Sequence, residues 1–401
     1  MDTDRLLIAA SPGERRLARL RAGRLVAYTI ERTSQADLVG ALCHARVTAV
    51  AQALAGAFIA IGGGAVAFLP ADEADPARAD GTPARPIGAI VTVGQALPVR
   101  ITRAPMGGKG SRASARLDAA DREAALRVPP PALVSPGPGA VARALADPPG
   151  AIVTDDPDLA ATLRAGFPAL AGRIATAPAP LFDAALEEEI EGLGAPEVPL
   201  PRGGRLAIAI TAAVTTIDID TGSGGGGGGG GARAVREAAN RTGLLEAARQ
   251  VALRSLSGNI VIDLAGLPGG KGGRAALLAA AEAAFAATVP DARVLGFSRL
   301  GLLEVVRPRI HPALAELLGT PASGVVPSPL SEALAAFRAA LRLAAEPGAA
   351  PRLVASRAVV AAARSGEALA AYAAKAGRPL ALVEEPGLPD AAWRVEDGRR
   401  R

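Results

Sequence analysis

The chain has 401 residues, of which half are hydrophobic and 2% aromatic, and it carries a formal net charge of +5. This length predicts several domains, and the apolar content excludes a disordered protein. A single cysteine, Cys43, excludes an internal disulfide and a zinc site built from several cysteines. The chain has only two histidines, so few residues could serve as the histidine of a Ser-His-Asp triad.

Residues 1–117 predict short strands separated by Gly and Pro turns, which is typical of a small barrel or a mixed sheet. The uncharged stretch from Val47 to Pro70 is long enough to span a bilayer. The triplet at 62–64 interrupts it, however, and the flanking segments GAFIAI and AVAFLP read as two hairpin strands. We therefore expect no membrane contact. The first residues lack the apolar core of a signal peptide, so the cytoplasm is the expected location.

Residues 118–180 are Ala- and Pro-rich and give only weak signals. From residue 181 the pattern alternates between strands and helices, which predicts an α/β unit over 181–320 and a second, smaller one over 321–401. An unbroken glycine tract, Gly224 to Gly231, separates an acidic strand from an amphipathic helix predicted at 234–253. Such a tract cannot pack, and we expect it to be mobile.

Two short β-branched runs end in aspartate: TTIDID, which contains Asp218 and Asp220, and NIVID, which ends at Asp263. Side chains alternate along a strand, so Asp218 and Asp220 share a face. If the strands are neighbours, two or three carboxylates meet beyond their carboxyl ends, in a setting that suits Mg²⁺. The alternative is that each aspartate only begins a turn or caps a helix.

These strands lie within a longer series of motifs that resembles the bacterial ribonuclease E/G family. The series includes LFDAALEEEIEG, RLAIAITAAVTTIDID, EAARQVALRSLSGNIVIDLAG and FSRLGLLEVVRPRIHPAL. Upstream, LLIAASPGERRLARLRAGRLVAYTIER resembles the family's N-terminal strands, and RVTAVAQALAGAFIAIGGGAVAFLP and GQALPVRITRAPMGGKGSRASARL resemble its OB-type barrel. The motifs follow the family order over most of the chain.

The resemblance implies a multidomain α/β fold. Its expected parts are N-terminal strands with an OB-type RNA-binding barrel (1–117), a shortened RNase H-like or connecting region (118–180), a DNase I-like catalytic domain (181–320) and a small α/β module (321–401). It implies an endoribonuclease that cleaves single-stranded RNA with Mg²⁺ and leaves a 5′-phosphate.

The resemblance also implies roles for individual residues. Asp218 and Asp263 match the metal ligands, and Asp220 would position water or metal. The matched RNA contacts are Phe58, Phe68, Lys109, Arg254, Arg307 and Arg309. The alternatives are core packing for the two phenylalanines and ordinary surface charge for the lysine and the arginines.

The chain departs from the family pattern at several points. Asp220 stands where the family usually has Asn, Ala212 replaces a Glu, and HPALAELLGTPASG replaces the CPxC zinc link. Any homo-oligomer would therefore have to form without zinc. The Arg-Thr pair that senses a 5′-monophosphate is not found in 118–180, so we expect end-sensing to be lost or altered.

The sequence leads to one principal hypothesis, a shortened Mg²⁺-dependent endoribonuclease. A second hypothesis is a non-catalytic RNA-binding protein that retains the scaffold. A third is an unrelated α/β metal enzyme acting on a small phosphorylated substrate, which would require an enclosed pocket at the two aspartates.

Overall fold

The structure, a computed structural model, describes residues 4–35, 37–78, 81–222, 232–266, 271–322 and 324–399. The glycine tract at 224–231 lies outside the described residues, so the expectation that it is mobile stays a prediction.

The described residues form strands and helices along the whole chain. The strands are β1 Arg5–Ser11, β2 Glu14–Arg21, β3 Arg24–Arg32, β4 Leu42–Ala51, β5 Gly56–Gly62, β6 Ala65–Pro70, β7 Ala96–Arg103, β8 Ser111–Ser114, β9 Ala132–Ser135, β10 Ala151–Thr154, β11 Ile174–Thr176, β12 Glu197–Pro199, β13 Arg205–Ile210, β14 Val214–Asp220, β15 Gly258–Asp263, β16 Arg293–Phe297, β17 Leu303–Arg307, β18 Gly319–Ala322, β19 Gly324–Pro327, β20 Pro351–Ala355, β21 Ala381–Glu384 and β22 Trp393–Asp397. The helices are α1 Ala71–Ala74, α2 Ala119–Leu126, α3 Ala140–Leu145, α4 Pro157–Gly166, α5 Ala184–Glu191, α6 Ala232–Leu253, α7 Lys271–Thr288, α8 Leu314–Leu318, α9 Pro329–Ala344, α10 Arg357–Arg364 and α11 Ala368–Ala376.

The chain divides into two compact units that are discontinuous in sequence. One unit contains Met1–Gln35, Pro148–Pro308 and Ala313–Arg401, and the other contains Ala36–Asp147 and Arg309–Pro312. Strands β1–β3 therefore belong to the first unit, whereas the linear division predicted from sequence groups them with the barrel. The physical reason is that β1 pairs in parallel with β10, with Arg5 opposite Ala151, so the N-terminal hairpins complete a sheet of order β11-β10-β1-β2-β3.

The second unit contains a closed five-stranded barrel. Strands β4, β5, β6, β8 and β7 pair in this order, and β7 pairs back to β4, which is consistent with an OB-type fold. The stretch from Val47 to Pro70 forms strands of this barrel, as predicted. Gly63 and Gly64 both have positive φ, which permits the tight turn between β5 and β6.

The two acidic strands lie in a six-stranded sheet of order β12-β13-β14-β15-β17-β16. Strands β14 and β15 are parallel, as the crossover through helix α6 requires. Inward-facing side chains such as Ile217, Ile219 and Ile262 pack with Leu244 of α6 and Phe285 of α7 in one hydrophobic core. One face of β14 and β15 is thus covered by helices, and their other face carries the acidic residues.

The C-terminal residues combine helices with a small sheet inside the first unit, and their predicted division into a separate module stays a prediction. Strands β21, β20 and β22 make a three-stranded sheet whose core includes Phe337 of α9 and Tyr372 of α11. Among the helices of the described residues, none combines the length and the apolar character needed to cross a membrane.

Candidate functional site

Asp218 and Asp263 occupy paired positions at the carboxyl ends of β14 and β15. The two residues are direct Cα partners in the parallel register, and both side chains are exposed. Register partners on neighbouring strands point to the same face, and adjacent strands lie about 4.8 Å apart. The two acidic strands are thus neighbours, which is the condition under which the sequence places their aspartates side by side. We call the surface that carries Asp218, Asp220 and Asp263 the acidic face.

Asp220 lies two residues beyond Asp218 on the same face, but its carboxylate has other partners. One oxygen accepts a hydrogen bond from the backbone N–H of Gly222 at 3.0 Å, and the other lies 3.4 Å from the guanidinium of Arg205. Arg205 is the register partner of Asp220 on β13, so the pair forms across the strands. Asp220 is thus held at the rim of the acidic face.

The electrostatics of the acidic face favour a bound cation. Loss of solvent and repulsion from the carboxylates of Asp263 and Asp220 raise the pKa of Asp218, and Arg205 opposes this rise. Within the described ranges, no group of three or more His, Cys, Asp or Glu side chains comes together as a metal site. Two carboxylates are sufficient for Mg²⁺ when substrate phosphates and water complete its coordination.

Phe58 and Phe68 lie on the outer surface of the barrel and not in its core. They are register partners on β5 and β6, and their rings meet edge to face with centroids 5.5 Å apart. Their neighbours Ile59 and Leu69 point inward and are completely buried, whereas Phe58 is 38% exposed. The alternative of core packing is therefore wrong for both rings. Lys109 is exposed in the turn between β7 and β8.

The three predicted arginines differ in their surroundings. Arg254 follows helix α6, is only 5% exposed, and donates hydrogen bonds to Gln250 and to the carbonyl of Ala195. Burial lowers the pKa of Arg254 to about 10. Its surroundings indicate a structural role and not contact with RNA.

Arg307 is also distant from the two aspartates within its sheet. It pairs with Gly258 at the start of β15, whereas Asp263 ends that strand, so five residues or roughly 16 Å of strand separate them. The Arg307 guanidinium contacts Asp291 and two backbone carbonyls. This geometry does not support the expected place of Arg307 at the catalytic surface. Arg309, in contrast, is exposed in the barrel unit.

Sequence reasoning missed some residues on the acidic face and on the outer surface of the barrel. Glu304 of β17 lies opposite Val261, on the same side of the sheet as Asp263. Arg112 lies beside Phe68, and Arg103 lies beside Arg112, on neighbouring barrel strands. Alternation along β7 would group Arg103 with the inward-facing residues Val99 and Ile101. A register shift after Ile101 instead brings Arg103 opposite Arg112, which the sequence pattern does not reveal.

Comparisons with known proteins agree with the motif series. The model of the Ribonuclease E/G family matches residues 134–310. The Ribonuclease E/G-like chloroplastic protein of Arabidopsis thaliana is 32% identical over 145 residues, which are 36% of this chain and 14% of that protein. Ribonuclease G of Haemophilus influenzae is 32% identical over 119 residues, 28% of this chain and 24% of that protein. Ribonuclease G of Escherichia coli K12 is 32% identical over 117 residues, with 27% and 24% covered.

The chain thus spans 14% to 24% of the length of these relatives. The matched segment contains both acidic strands and their paired aspartates. Residues 134–310 are therefore similar to the Ribonuclease E/G family, in agreement with the resemblance found in the motifs of the chain.

Proposed function

We propose that this chain is an Mg²⁺-dependent endoribonuclease that cleaves single-stranded RNA and leaves a 5′-phosphate. The observation that carries the proposal is the register pairing of Asp218 with Asp263 on an exposed sheet face, inside the segment that matches the Ribonuclease E/G family. An open acidic face suits a long polymer better than a small phosphorylated molecule, which favours this hypothesis over an unrelated enzyme with an enclosed pocket.

We assign each residue of the acidic face a role in the reaction from its position. Asp218 and Asp263 would hold the ion, and Asp220, held by Arg205, would orient water at the edge of the site. When bound, Mg²⁺ supplies a lowered pKa for a coordinated water and neutralises charge on the attacked phosphate. The exposed rings of Phe58 and Phe68 would stack on unpaired bases of the RNA. The RNase H-like and DNase I-like domain types and the cytoplasmic location stay predictions from sequence.

A non-catalytic RNA-binding protein is the second candidate. The observation that favours it is the engagement of the Asp220 carboxylate by Arg205 and by the N–H of Gly222. These contacts leave Asp220 less available to water or metal than the family's pattern implies.

One assay separates the two candidates. The full chain is incubated with a fluorescent single-stranded RNA, with Mg²⁺ and with EDTA, and the products are sized and tested for a 5′-phosphate. The nuclease proposal expects shorter fragments that carry 5′-phosphates and form only with Mg²⁺. Binding with ordinary salt dependence but without cleavage would favour the second candidate.

A further inference from the structure

Helix α6 connects the two acidic strands and contacts both of them near their carboxyl ends. It follows β14 and precedes β15 in the chain, and its buried side chains pack on the core face of both strands. Gly243 lies against β14, and Asn240, one turn earlier on the same side of the helix, is bonded to the chain just after β15. A single helix therefore reaches both of the strand ends that carry the paired aspartates.

The sheet supports Asp263 on one side only. On that side Asp263 pairs with Asp218 of β14. On the other side, the pairing of β15 with β17 stops one residue earlier, where Ile262 lies opposite Leu303. The backbone leaves the sheet after Asp263, so the direction of its carboxylate depends on what holds the residues that follow.

Asn240 holds those residues through both polar atoms of its side chain. Its Oδ1 accepts a hydrogen bond from the backbone N–H of Ala265 at 2.8 Å, and its Nδ2 donates to the carbonyl of Gly266 at 3.3 Å. The Asn240 side chain is 1% exposed, so water cannot readily replace either bond. Breaking them would leave buried polar groups without partners, which makes this link between helix and loop costly to open.

The contact of α6 with β14 is unusually close because residue 243 is a glycine. A Cβ at this position would lie 2.7 Å from the Cγ2 of Ile219, nearer than real side chains approach. Ile219 lies between Asp218 and Asp220 on β14. The helix that carries Asn240 is thus packed directly against the strand that carries the partner of Asp263.

We propose that Asn240 is a positioning residue of the metal site. It holds the backbone after Asp263 so that the carboxylates of Asp218 and Asp263 are directed at the same cation, and it acts through Asp263 without touching the ion. This inference rests on the proposed function and adds a residue that supports the ligands. Mg²⁺ requires nearly ideal ligand geometry, and groups that orient metal ligands typically change metal affinity by about 10–100-fold.

The test measures binding of Mn²⁺ alone to the full chain by electron paramagnetic resonance, without RNA. The relevant binding is the part that disappears in Asp263→Asn. Asn240→Ala should raise the Mn²⁺ concentration at half-saturation about tenfold. Gly243→Ala keeps Asn240 and favours the helix, but it forces Ile219 or the helix to move, so it should weaken Mn²⁺ binding in the same direction.

Gln250→Ala is the matched control. Gln250 is another buried amide of α6, 3% exposed, and it is hydrogen-bonded to Glu246 and Arg254 instead of the loop after Asp263. Gln250→Ala should lower the urea midpoint of unfolding about as much as Asn240→Ala does, because each removes two buried hydrogen bonds. It should leave the affinity for Mn²⁺ unchanged.

The outcomes separate this inference from the proposed function. If the wild type shows no Mn²⁺ binding that depends on Asp263, the metal site and the role of Asn240 are both overturned. If the wild type binds Mn²⁺ through Asp263 but Asn240→Ala keeps the wild-type affinity, or Gln250→Ala weakens it equally, only the positioning role is wrong. If Asn240→Ala does not fold, Gly243→Ala decides, and wild-type Mn²⁺ affinity in that variant overturns the inference.

Discussion

Asp218 and Asp263 are directly paired on two parallel strands, and their exposed side chains lie on the same face of the sheet. Like charges at such positions destabilise a sheet, and the raised pKa of Asp218 reflects loss of solvent together with this repulsion. The divalent cation that we propose for this site would relieve the repulsion between the two carboxylates.

Neutralising one member of this pair should stabilise the protein. Because folding raises the pKa of Asp218, the folded state holds this proton more tightly than the unfolded chain, and stability falls as the pH rises through that window. Asp263→Asn should therefore raise the free energy of unfolding by about 0.2–1 kcal/mol at neutral pH, measured by urea denaturation without Mg²⁺. The gain should disappear in acid, where Asp218 is protonated. Asp390→Asn, at an exposed turn residue, is the control; an equal gain there would argue against repulsion as the cause.

Asp220→Asn tests the departure from the family pattern at this position. Removing the Asp220 charge leaves one carboxylate fewer to repel Asp218, so the pKa of Asp218 should fall. Metal binding needs the ionised form of Asp218. The Mg²⁺-dependent cleavage rate falls as the solution becomes acidic, and in Asp220→Asn this fall should occur at lower pH, as measured over a pH series at saturating RNA. If the fall occurs at the same pH as in the wild type, protonation of Asp218 does not cause it.

Much of the local structure was predictable from the sequence, because β-branched runs and Gly turns determine it locally. The acidic strands, predicted at 215–220 and 259–263, begin one residue earlier in each case as β14 and β15. The segment RLAIAITAAVTTIDID is a hairpin, β13 and β14, and the predicted helix at 234–253 is α6, which begins at Ala232. The hairpin character of β5 and β6 also followed from the glycines between them.

Long-range pairing was not predictable in the same way. The parallel pairing of Arg5 with Ala151 joins segments separated by the whole barrel, and no local pattern encodes it. The burial of the Arg254 side chain was equally hard to predict from the sequence. A charged residue at the end of a helix normally reads as exposed, and only the packing around Gln250 and Ala195 shows that it is buried.

The aromatic pair should carry measurable RNA affinity. Phe58→Ala and Phe68→Ala should each cost about 1–3 kcal/mol of binding free energy, measured by fluorescence anisotropy. Gly56 positions Phe68, because a Cβ at residue 56 would lie 2.2 Å from the Cζ of the Phe68 ring. Gly56→Ala should therefore weaken RNA binding in the same direction, whereas Gly166→Ala, which meets open space, should not. Wild-type affinity in Gly56→Ala would contradict this positioning role.

Arg254 should matter for stability and not for RNA binding. Arg254→Met leaves the side-chain oxygen of Gln250 and the carbonyl of Ala195 without their donor, which should lower the free energy of unfolding by about 1–3 kcal/mol. At a temperature where the variant is folded, its RNA affinity should equal that of the wild type. A selective loss of RNA binding with an unchanged unfolding midpoint would instead place Arg254 on the RNA path.

The central claim is that the paired aspartates support metal-dependent cleavage of RNA. The direct measurement is the initial rate at which a single-stranded RNA is cleaved. It compares the wild type with Asp263→Asn, each in Mg²⁺ and in EDTA. Asp263→Asn should bind the RNA as the wild type does in Mg²⁺-free buffer, which serves as the control for folding. We expect cleavage by the wild type only with Mg²⁺ and none by Asp263→Asn. Cleavage in EDTA, or cleavage by Asp263→Asn at the wild-type rate, would contradict the account.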